Sequence, residues 1–279
     1  MQLQLYQDTC LACSRVITQN YSTSFSLGIK SLGKRFRDPV YAVYGFVRYA
    51  DEIVDTFHDY DKKKLLDRFR DDTETAIREG ISLNPVLQAF QMVVHKYKIE
   101  QELIDSFLHS MEMDLYKDTY NQAGYETYIY GSAEVVGLMC LRIFCEGDEE
   151  MYLKLKEPAQ SLGKAFQKVN FLRDMKSDYF ERGRVYFPGV DFQQFNPVSK
   201  KEIEADIQAD FDHAYTGIVR LPEGARRGVF LAYRYYLQLF HKITRLPASR
   251  ILKERIRVPD NQKLAIWVST YFQDHLNFI

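Results

Sequence analysis

Two acidic segments of this chain share one spacing. The segment "DEIVD" contains Asp51 and Asp55, and the segment "DMKSD" contains Asp174 and Asp178, so each places two carboxylates four residues apart. On a helix such residues share a face, where like charges repel each other unless a cation lies between them. Carboxylate oxygens are ligands that Mg²⁺ prefers, and Mg²⁺ commonly bridges to phosphates. The spacing therefore favours a magnesium site over the alternative, a solvated helix face.

Polar residues extend both acidic pairs along their helices. Because successive helical residues are rotated by about 100°, each segment carries one narrow polar stripe. The stripes consist of Tyr44, Arg48, Asp51 and Asp55 in the first segment and of Gln167, Asn170, Asp174 and Asp178 in the second. Lysines do not interleave with these stripes. If the two helices face each other, the four carboxylates would hold a Mg²⁺–diphosphate cluster between them.

Charge balance and cysteine content exclude several classes of protein. The 279 residues include 37 Lys plus Arg and 38 Asp plus Glu, so no excess of positive charge indicates nucleic acid as a partner. Cys10 and Cys13 form a CxxC segment without the second pair that a zinc site needs, so we interpret the cysteines as reduced thiols. The first residues do not resemble a signal peptide, and the apolar stretch 135–145 is too short to span a bilayer. We expect a cytoplasmic protein.

Helix signals recur along the chain, whereas alternating strand patterns do not. Asp38–Pro39 and Asn84–Pro85 each pair an N-cap residue with a proline at the first helical position, and Ser199–Glu202 has the spacing of a capping box. The segment 183–189, "GRVYFPG", ends in Pro-Gly and is predicted to be a loop. We predict a single all-α domain over residues 1–279, with roughly ten to twelve helices.

Gly131 and Gly137 interrupt an otherwise apolar helical stretch, "YGSAEVVGLM". Glycine in a helix interior costs up to about 1 kcal/mol relative to alanine. Two explanations stay open at this point: close packing against another helix, or a kink that opens a substrate cavity.

Four motifs resemble those of the squalene/phytoene synthase family. They are "YSTSF", "YGFVRYADEIVD", "GSAEVVGLM" and "FQKVNFLRDMKSDYFERGRVYFP", and they occur in the family's order. The long fourth motif is highly specific, and "DEIVD" with "GRVYFP" is most similar to bacterial-type phytoene synthases. The resemblance implies a class I isoprenoid synthase helical fold with a central cavity. It also implies a prenyltransferase that joins two allylic diphosphates head to head, here two geranylgeranyl diphosphates giving phytoene in carotenoid biosynthesis.

The resemblance also implies roles for the residues that match the motifs. The implied ligands of Mg²⁺, with Mn²⁺ as the alternative ion, are Asp51, Asp55, Asn170, Asp174 and Asp178. The implied catalytic residues are the four aspartates with Tyr44, Arg48 and Tyr186. The implied substrate-binding residues are Ser22, Ser24, Arg48, Gln167, Asn170, Arg173, Tyr235 and Arg255. Phytoene formation requires no nicotinamide cofactor, and none is expected.

Two positions depart from the family's usual pattern. Thr23 stands where the family often has a lysine in "YSTSF", and Tyr49 follows Arg48 where many phytoene synthases have a second arginine. Both differences remove positive charge near the diphosphates. We therefore expect diphosphate binding to depend more on the metal ions.

Two other functions stay open. A family member that uses farnesyl diphosphate would make squalene or dehydrosqualene, and the reduction to squalene would require a nicotinamide cofactor. A non-catalytic family member acting as a scaffold would be expected to lose motif acids, whereas all four are present. Because the product would be an insoluble hydrocarbon, we also expect peripheral contact with the inner face of the membrane.

Overall fold

The structure, a computed structural model, describes residues 2–116, 119–190 and 195–257 together with Ile266 and Thr270, and of Arg182 the backbone alone. These residues form twelve α-helices and one π turn. The helices are α1 (Gln2–Tyr21), α2 (Thr23–Lys30), α3 (Lys34–Asp55), α4 (Lys62–Glu79), α5 (Pro85–Tyr97), α6 (Gln101–Tyr116), α7 (Gln122–Ile129), α8 (Val135–Cys145), α9 (Glu149–Arg182), α10 (Pro197–Ile218), α11 (Glu223–Thr244) and α12 (Ala248–Ile251). The predicted all-α fold is confirmed. The single domain over residues 1–279 stays a prediction, because parts of that range lie outside the described residues.

The start of α5 is confirmed and that of α10 is displaced. The Asn84 side chain accepts hydrogen bonds from backbone N–H groups of the first turn, and Pro85 is the first helical residue. In α10 the N-cap is Asn196, and Ser199 occupies the third helical position of the capping box. The prediction of a start at Ser199 is wrong by one turn, because an asparagine before Pro197 is the stronger start signal.

The predicted start of α3 at Asp38–Pro39 is wrong. The helix begins at Lys34, so Pro39 lies inside it. Phe36 is fully buried, and Asp38 forms an ion pair of 2.7 Å with Arg15 of α1 instead of capping a helix. Tertiary packing of the residues before Pro39 therefore outweighs the local start signal.

Two long helices, α3 and α9, organise the fold. α3 packs against α1, α5, α6 and α8, and its Phe46 ring stacks on Phe90 of α5 with centroids 3.9 Å apart. The 34-residue α9 packs against α8, α10 and α11. Since α3 also contacts α8 and α11, the two helices that carry the acidic segments border one shared interior.

A π turn (Tyr130–Glu134) joins α7 to α8 and contains the first of the two unusual glycines. A Cβ atom at Gly131 would lie 2.4 Å from the carbonyl oxygen of Ser106, and one at Gly137 would lie 3.1 Å from that of Ala159. Close packing therefore explains both glycines. The π turn is a local distortion of the helix that borders the cavity, and a kink that opens the cavity stays a prediction.

The continuous helical run Gln122–Cys145 is long and apolar enough to cross a membrane, a property found once among the described residues. The statement that the apolar stretch is too short to span a bilayer considered only residues 135–145, which form the second part of this helical run. In the folded chain, 61% of the apolar window is buried inside the protein. Burial against other helices is typical of a core helix.

The predicted central cavity is confirmed, with a volume of about 1060 Å³ between α2, α3, α8, α9 and α11. Along α3 its wall changes from Val40 and Val43 to Arg48, Asp51 and Asp55, over a helix length of about 22 Å. The polar end is open, since 36% of the Asp51 side chain is accessible. At the other end, side chains of α3 and α8 pack together in the core. We call the polar, open end the mouth.

Candidate active site

Every site residue proposed from the sequence lines this one cavity. The residues are Ser22, Ser24, Tyr44, Arg48, Asp51, Asp55, Gln167, Asn170, Arg173, Asp174, Asp178, Tyr186, Tyr235 and Arg255. The polar stripes of α3 and α9 thus face the same space. Their roles in binding and catalysis stay predictions.

The first acidic pair lies at the end of α3 beside a half-buried arginine. Arg48 forms an ion pair with Glu52, and its Nη1 atom lies 4.0 Å from Oδ2 of Asp51. The guanidinium also lies over the ring of Tyr21, 4.4 Å from its centroid. Within the described part of the chain, Nε of Arg48 is buried without a hydrogen-bond partner. The mouth therefore holds a positive group with an unused donor, which suits an anionic ligand.

Burial controls the protonation of the groups on this wall. Partial burial, with 36% of the side chain still accessible, raises the pKa of Asp51 to about 7; the nearby Arg48 guanidinium opposes the shift, and the Asp55 carboxylate adds to it. Burial also raises the pKa of Tyr44 to about 12, so this hydroxyl stays protonated at neutral pH. A cation bound beside Asp51 would favour the charged carboxylate again.

The second acidic pair lies in the last turns of α9, where two arginines contact Asp174. Nε of Arg173 lies 3.0 Å from Oδ2 of Asp174, and Nε of Arg255 lies 2.7 Å from Oδ1. Arg255 belongs to the segment after α12, so this contact brings the carboxy-terminal part of the chain to the mouth. The two guanidiniums place positive charge beside the carboxylate.

An amide pair lies on α9 before these acids. Nδ2 of Asn170 lies 3.5 Å from Oε1 of Gln167, and the Tyr236 hydroxyl donates to Oδ1 of Asn170 at 3.3 Å. The Tyr236 ring stacks on Phe166 with centroids 3.9 Å apart. The sequence patterns indicated Tyr235 and not Tyr236, because the hydrogen bond of Tyr236 joins α11 to α9 and neither segment alone shows that these helices are in contact.

Ser22 and Ser24 lie where α2 begins. The Ser22 hydroxyl accepts a hydrogen bond from the N–H of Phe25 at 3.2 Å and caps the helix. Both serines line the cavity near Tyr44, so the capped helix start faces the same mouth as the acidic pairs.

Arg184, which sequence analysis did not assign, joins the ends of three helices. Its Nη1 atom lies 3.2 Å from Oδ1 of Asp55, its Nη2 atom donates to the carbonyl oxygen of Asp114 at 2.7 Å, and its backbone N–H donates to the carbonyl oxygen of Asp178 at 2.8 Å. The guanidinium also lies 3.3 Å from the Tyr186 hydroxyl. We call Arg184 with Asp55, Asp114 and Asp178 the arginine hub. Arg184 belongs to the segment "GRVYFPG", whose prediction as a loop is confirmed. The sequence signal that could have indicated the role of Arg184 was an arginine within a quoted motif.

Asp114 of α6 is the second residue that sequence analysis missed. It is buried, and it accepts hydrogen bonds from the hydroxyls of Tyr128 at 2.8 Å and Tyr120 at 3.3 Å. Burial raises the pKa of Asp114 to about 6, although the Arg184 guanidinium and the Tyr128 hydroxyl oppose the shift. A single acid on the apolar face of a helix, as in "SMEMDL", is the pattern that indicates such a residue.

The donors at the mouth fit a hard divalent cation bound together with an anion. The four motif aspartates and the Asn170 amide offer oxygen ligands. Over residues 2–116, 119–190 and 195–257, no three His, Cys, Asp or Glu side chains are close enough to hold a metal ion by themselves. Ligand oxygens or water would complete the coordination, as is usual for Mg²⁺ with phosphates.

Comparison with known proteins identifies the family. A sequence model described as Squalene/phytoene synthase matches residues 18–262. The chain belongs to the squalene/phytoene synthase family. Members of this family are prenyltransferases that bind prenyl diphosphates and use a divalent metal to do so. The family prediction is confirmed, and the matched range contains all the site residues proposed from the sequence.

Relatives of the squalene/phytoene synthase family include enzymes named for two products. The chain is 26% identical over 277 residues to the phytoene synthase of Arthrospira platensis, covering 90% of this chain and 88% of that protein. It is 27% identical over 200 residues to the 4,4'-diapophytoene synthase of Staphylococcus haemolyticus, covering 70% of this chain and 67% of that protein.

Solved structures of family members confirm the fold. A dehydrosqualene synthase in complex with a ligand superposes with a TM-score of 0.82 at 22% identity, covering 100% of both chains. The squalene synthase of Alicyclobacillus acidocaldarius superposes with a TM-score of 0.74 at 22% identity, covering 86% of this chain and 95% of that one. The helical architecture is therefore that of isoprenoid synthases.

Proposed function

We propose that this protein condenses two geranylgeranyl diphosphates head to head to phytoene, through a cyclopropyl (prephytoene) diphosphate. The observation that carries the proposal is a cavity of about 1060 Å³ with two carboxylate pairs and arginines at its mouth and apolar walls beyond them. Such a cavity suits two ligands that each join a diphosphate to a long hydrocarbon chain. The identity with the Arthrospira platensis phytoene synthase supports this choice of product.

The mouth residues act on the diphosphates in this proposal. Bound Mg²⁺, or Mn²⁺, would neutralise charge that develops as each diphosphate leaves. Its ligands would be Asp51, Asp55, Asn170, Asp174 and Asp178. The guanidiniums of Arg48, Arg173 and Arg255 would donate hydrogen bonds to diphosphate oxygens, a charge-assisted contact. No nicotinamide cofactor takes part.

In this proposal, the aromatic and apolar walls of the cavity beyond the mouth stabilise the carbocations that form during the reaction. The first allylic cation is attacked by the double bond of the second substrate, and the cyclopropyl intermediate then ionises, rearranges and loses a proton. Aromatic rings such as those of Phe166, Phe171 and Tyr44 line this space. Ring faces stabilise a cation by about 0.5–2 kcal/mol each, and apolar walls exclude the water that would trap it.

A second candidate uses the C15 substrate. The identity with a 4,4'-diapophytoene synthase and the superposition on a dehydrosqualene synthase favour farnesyl diphosphate and a C30 product. The mouth residues would bind the diphosphates and the metal ions in either reaction. The two candidates differ in the length of chain that the apolar end accepts.

The test is a product assay on purified protein with Mg²⁺. Geranylgeranyl and farnesyl diphosphates are supplied separately, each with and without NADPH, and the organic extract is identified by mass. Phytoene from geranylgeranyl diphosphate without NADPH is the expected result. A C30 hydrocarbon alone would assign the second candidate, and its NADPH dependence would separate squalene from dehydrosqualene. No product from either substrate would favour a scaffold.

Matched variants test whether the aspartates at the mouth are required for turnover in this assay. Asp51→Asn and Asp174→Asn should nearly abolish turnover with an unchanged helical circular-dichroism signal. Asp71→Asn, at an exposed position of α4, serves as the control and should retain full turnover. Activity retained in both mouth variants would contradict the assigned metal ligands.

We also propose that the protein works in the cytoplasm in peripheral contact with the inner face of the membrane. Both candidate products are hydrocarbons that water does not dissolve. Direct transfer between the cavity and a bilayer would avoid exposing them to water.

A further inference from the structure

Four exposed aromatic residues lie just beyond the acidic residues of the mouth. Phe57 and Tyr60 follow α3, Tyr116 ends α6, and Phe180 lies in the last turn of α9. Their exposed fractions range from 36% for Phe57 to 69% for Tyr60. We call these four residues the aromatic rim. Single exposed apolar side chains are common on protein surfaces, but exposed rings that several helix ends bring together form a patch, and such a patch requires an explanation.

The arginine hub shows that the helix ends bearing the rim lie together. Phe57, Tyr116 and Phe180 each come two residues after Asp55, Asp114 or Asp178. All three of these acids contact Arg184. Two residues span at most about 7 Å of chain, so each of the three rings starts close to the hub. Tyr60 joins them, since its ring centroid lies 6.2 Å from that of Phe57.

From this arrangement we infer that the aromatic rim is the membrane-contact surface, with the rings inserted at the headgroup level of a phospholipid bilayer around the cavity mouth. The inference rests on the proposed function, which requires that a hydrocarbon chain pass between the mouth and a bilayer. Phenylalanine and tyrosine rings suit the interface between lipid and water, because they combine apolar faces with, in tyrosine, a polar hydroxyl.

The charges beside the rim indicate which kind of contact dominates. The exposed segment between Phe57 and α4 contains Asp59 and Asp61, and α4 begins with Lys62, Lys63 and Lys64. Lys63 pairs with Asp67, and the two aspartates offset the other two lysines, so this segment carries little net positive charge for anionic lipids to attract. Binding through the rim should therefore occur on neutral phosphatidylcholine and should change little with ionic strength.

The chain offers a matched control at a distance from the mouth. Leu5 and Leu83 are 69% and 94% exposed, more than most rim residues. The Tyr6 hydroxyl donates to the Ser82 carbonyl oxygen, so the two leucines lie near the start of α1. The other end of α1, at Tyr21, lies at the mouth, about 22 Å away along the helix.

The test is flotation of the full-length protein with phosphatidylcholine vesicles at about 0.05 and about 0.5 M salt. Wild type, Phe57→Ser with Phe180→Ser, and Leu5→Ser with Leu83→Ser are compared after circular dichroism has confirmed folding. Wild type should float at both salt concentrations. The rim variant should partition at least about tenfold less, and the leucine variant should float like wild type.

The inference is overturned if wild type stays with the soluble fraction, if the rim variant floats like wild type, or if the leucine variant alone loses binding. If wild type instead dimerises in solution and the rim variant does not, the rim is an interface between copies of this chain and not a lipid surface.

A product assay in detergent separates this inference from the proposed function. With substrates dispersed in detergent, the rim variant should turn over as fast as wild type, because no rim residue belongs to the proposed catalytic or binding set. Product in detergent without vesicle binding would contradict the aromatic rim alone. Vesicle binding without any product would contradict the proposed function alone.

Discussion

Arg184 is the buried cation that offsets repulsion among the acids of the mouth. Its guanidinium lies between Asp55 and Asp114, and its backbone holds the end of α9 through Asp178. The Asp114 carboxylate also accepts hydrogen bonds from two tyrosine hydroxyls. The metal-ligand candidate Asp55 is thus oriented by Arg184, a residue of the fourth motif to which the sequence patterns assigned no role.

Replacing Arg184 by alanine should strongly destabilise the protein. The change leaves the buried Asp114 carboxylate without its cation, a loss of about 3–5 kcal/mol in the free energy of unfolding. Urea unfolding measures it. Adding Asp114→Asn to this variant should restore part of the loss. Arg70→Ala, which breaks a half-buried pair with Glu112, should cost about 1 kcal/mol or less. Equal stability of wild type and the Arg184 variant would contradict the hub.

Replacing Asp51 by asparagine should stabilise the metal-free protein in a pH-dependent way. The folded-state pKa of Asp51, about 7, is above its ordinary value, so the ionised carboxylate destabilises the fold above neutral pH and ceases to do so as pH falls toward its unfolded pKa. The variant should therefore melt a few degrees higher than wild type at about pH 8, with a gain that shrinks as pH falls and is nearly lost at about pH 4. Thermal melts with a chelator measure both. A larger gain at the lower pH would contradict the assignment.

At the scale of the elements, the features that depend on local sequence patterns were predicted better than the features that depend on tertiary contacts. The four-residue spacing of acids placed both polar stripes on helices, and the Asn84–Pro85 signal placed the start of α5 correctly. Asp114 and Arg184 were missed because their contact joins positions 70 residues apart, which neither segment shows. The start of α3 was missed because burial of Phe36 overrides a local cap.

The contact between α9 and the π turn depends on Gly163. A Cβ atom there would lie 2.7 Å from the carbonyl oxygen of Ala133 and 3.1 Å from Cα of Glu134. Backbone atoms cannot move aside easily, so Gly163→Ala should lower the free energy of unfolding by about 1–3 kcal/mol. Urea unfolding tests this. Gly28→Ala is the control, because its Cβ would meet its nearest neighbour at an ordinary 3.6 Å, and it should cost less than about 1 kcal/mol.

At the scale of the whole molecule, helix packing brings the two acidic pairs to one cavity through protein contacts alone. α3 and α9 both contact α8 and α11, and Arg184 joins their ends. The sequence could not indicate the depth of the cavity, because its closed end combines apolar side chains from several helices. For the same reason, the length of the substrate chain could not be read from any one segment.

Removing divalent metal should stop the reaction without unfolding the protein. Excess EDTA should abolish product formation, because the leaving diphosphates lose their counter-ions. The melting temperature of the substrate-free protein should not change, since no three donors among the described residues form a metal site by themselves. Parallel product assays and melts test both statements, with Mg²⁺ added back as the control. A melting temperature several degrees lower in EDTA would indicate a structural metal.

The π turn also bears on which insertions and deletions the chain can tolerate. A helix with a π turn holds one more residue than a regular helix of the same span needs. Loss of one residue within Tyr130–Glu134 can therefore leave the flanking faces of α7 and α8 in place. Loss of one residue early in α9 would rotate everything after it by about 100° and turn Asp174 and Asp178 away from the mouth. Length variation among related chains should therefore concentrate at this turn and avoid the interior of α9.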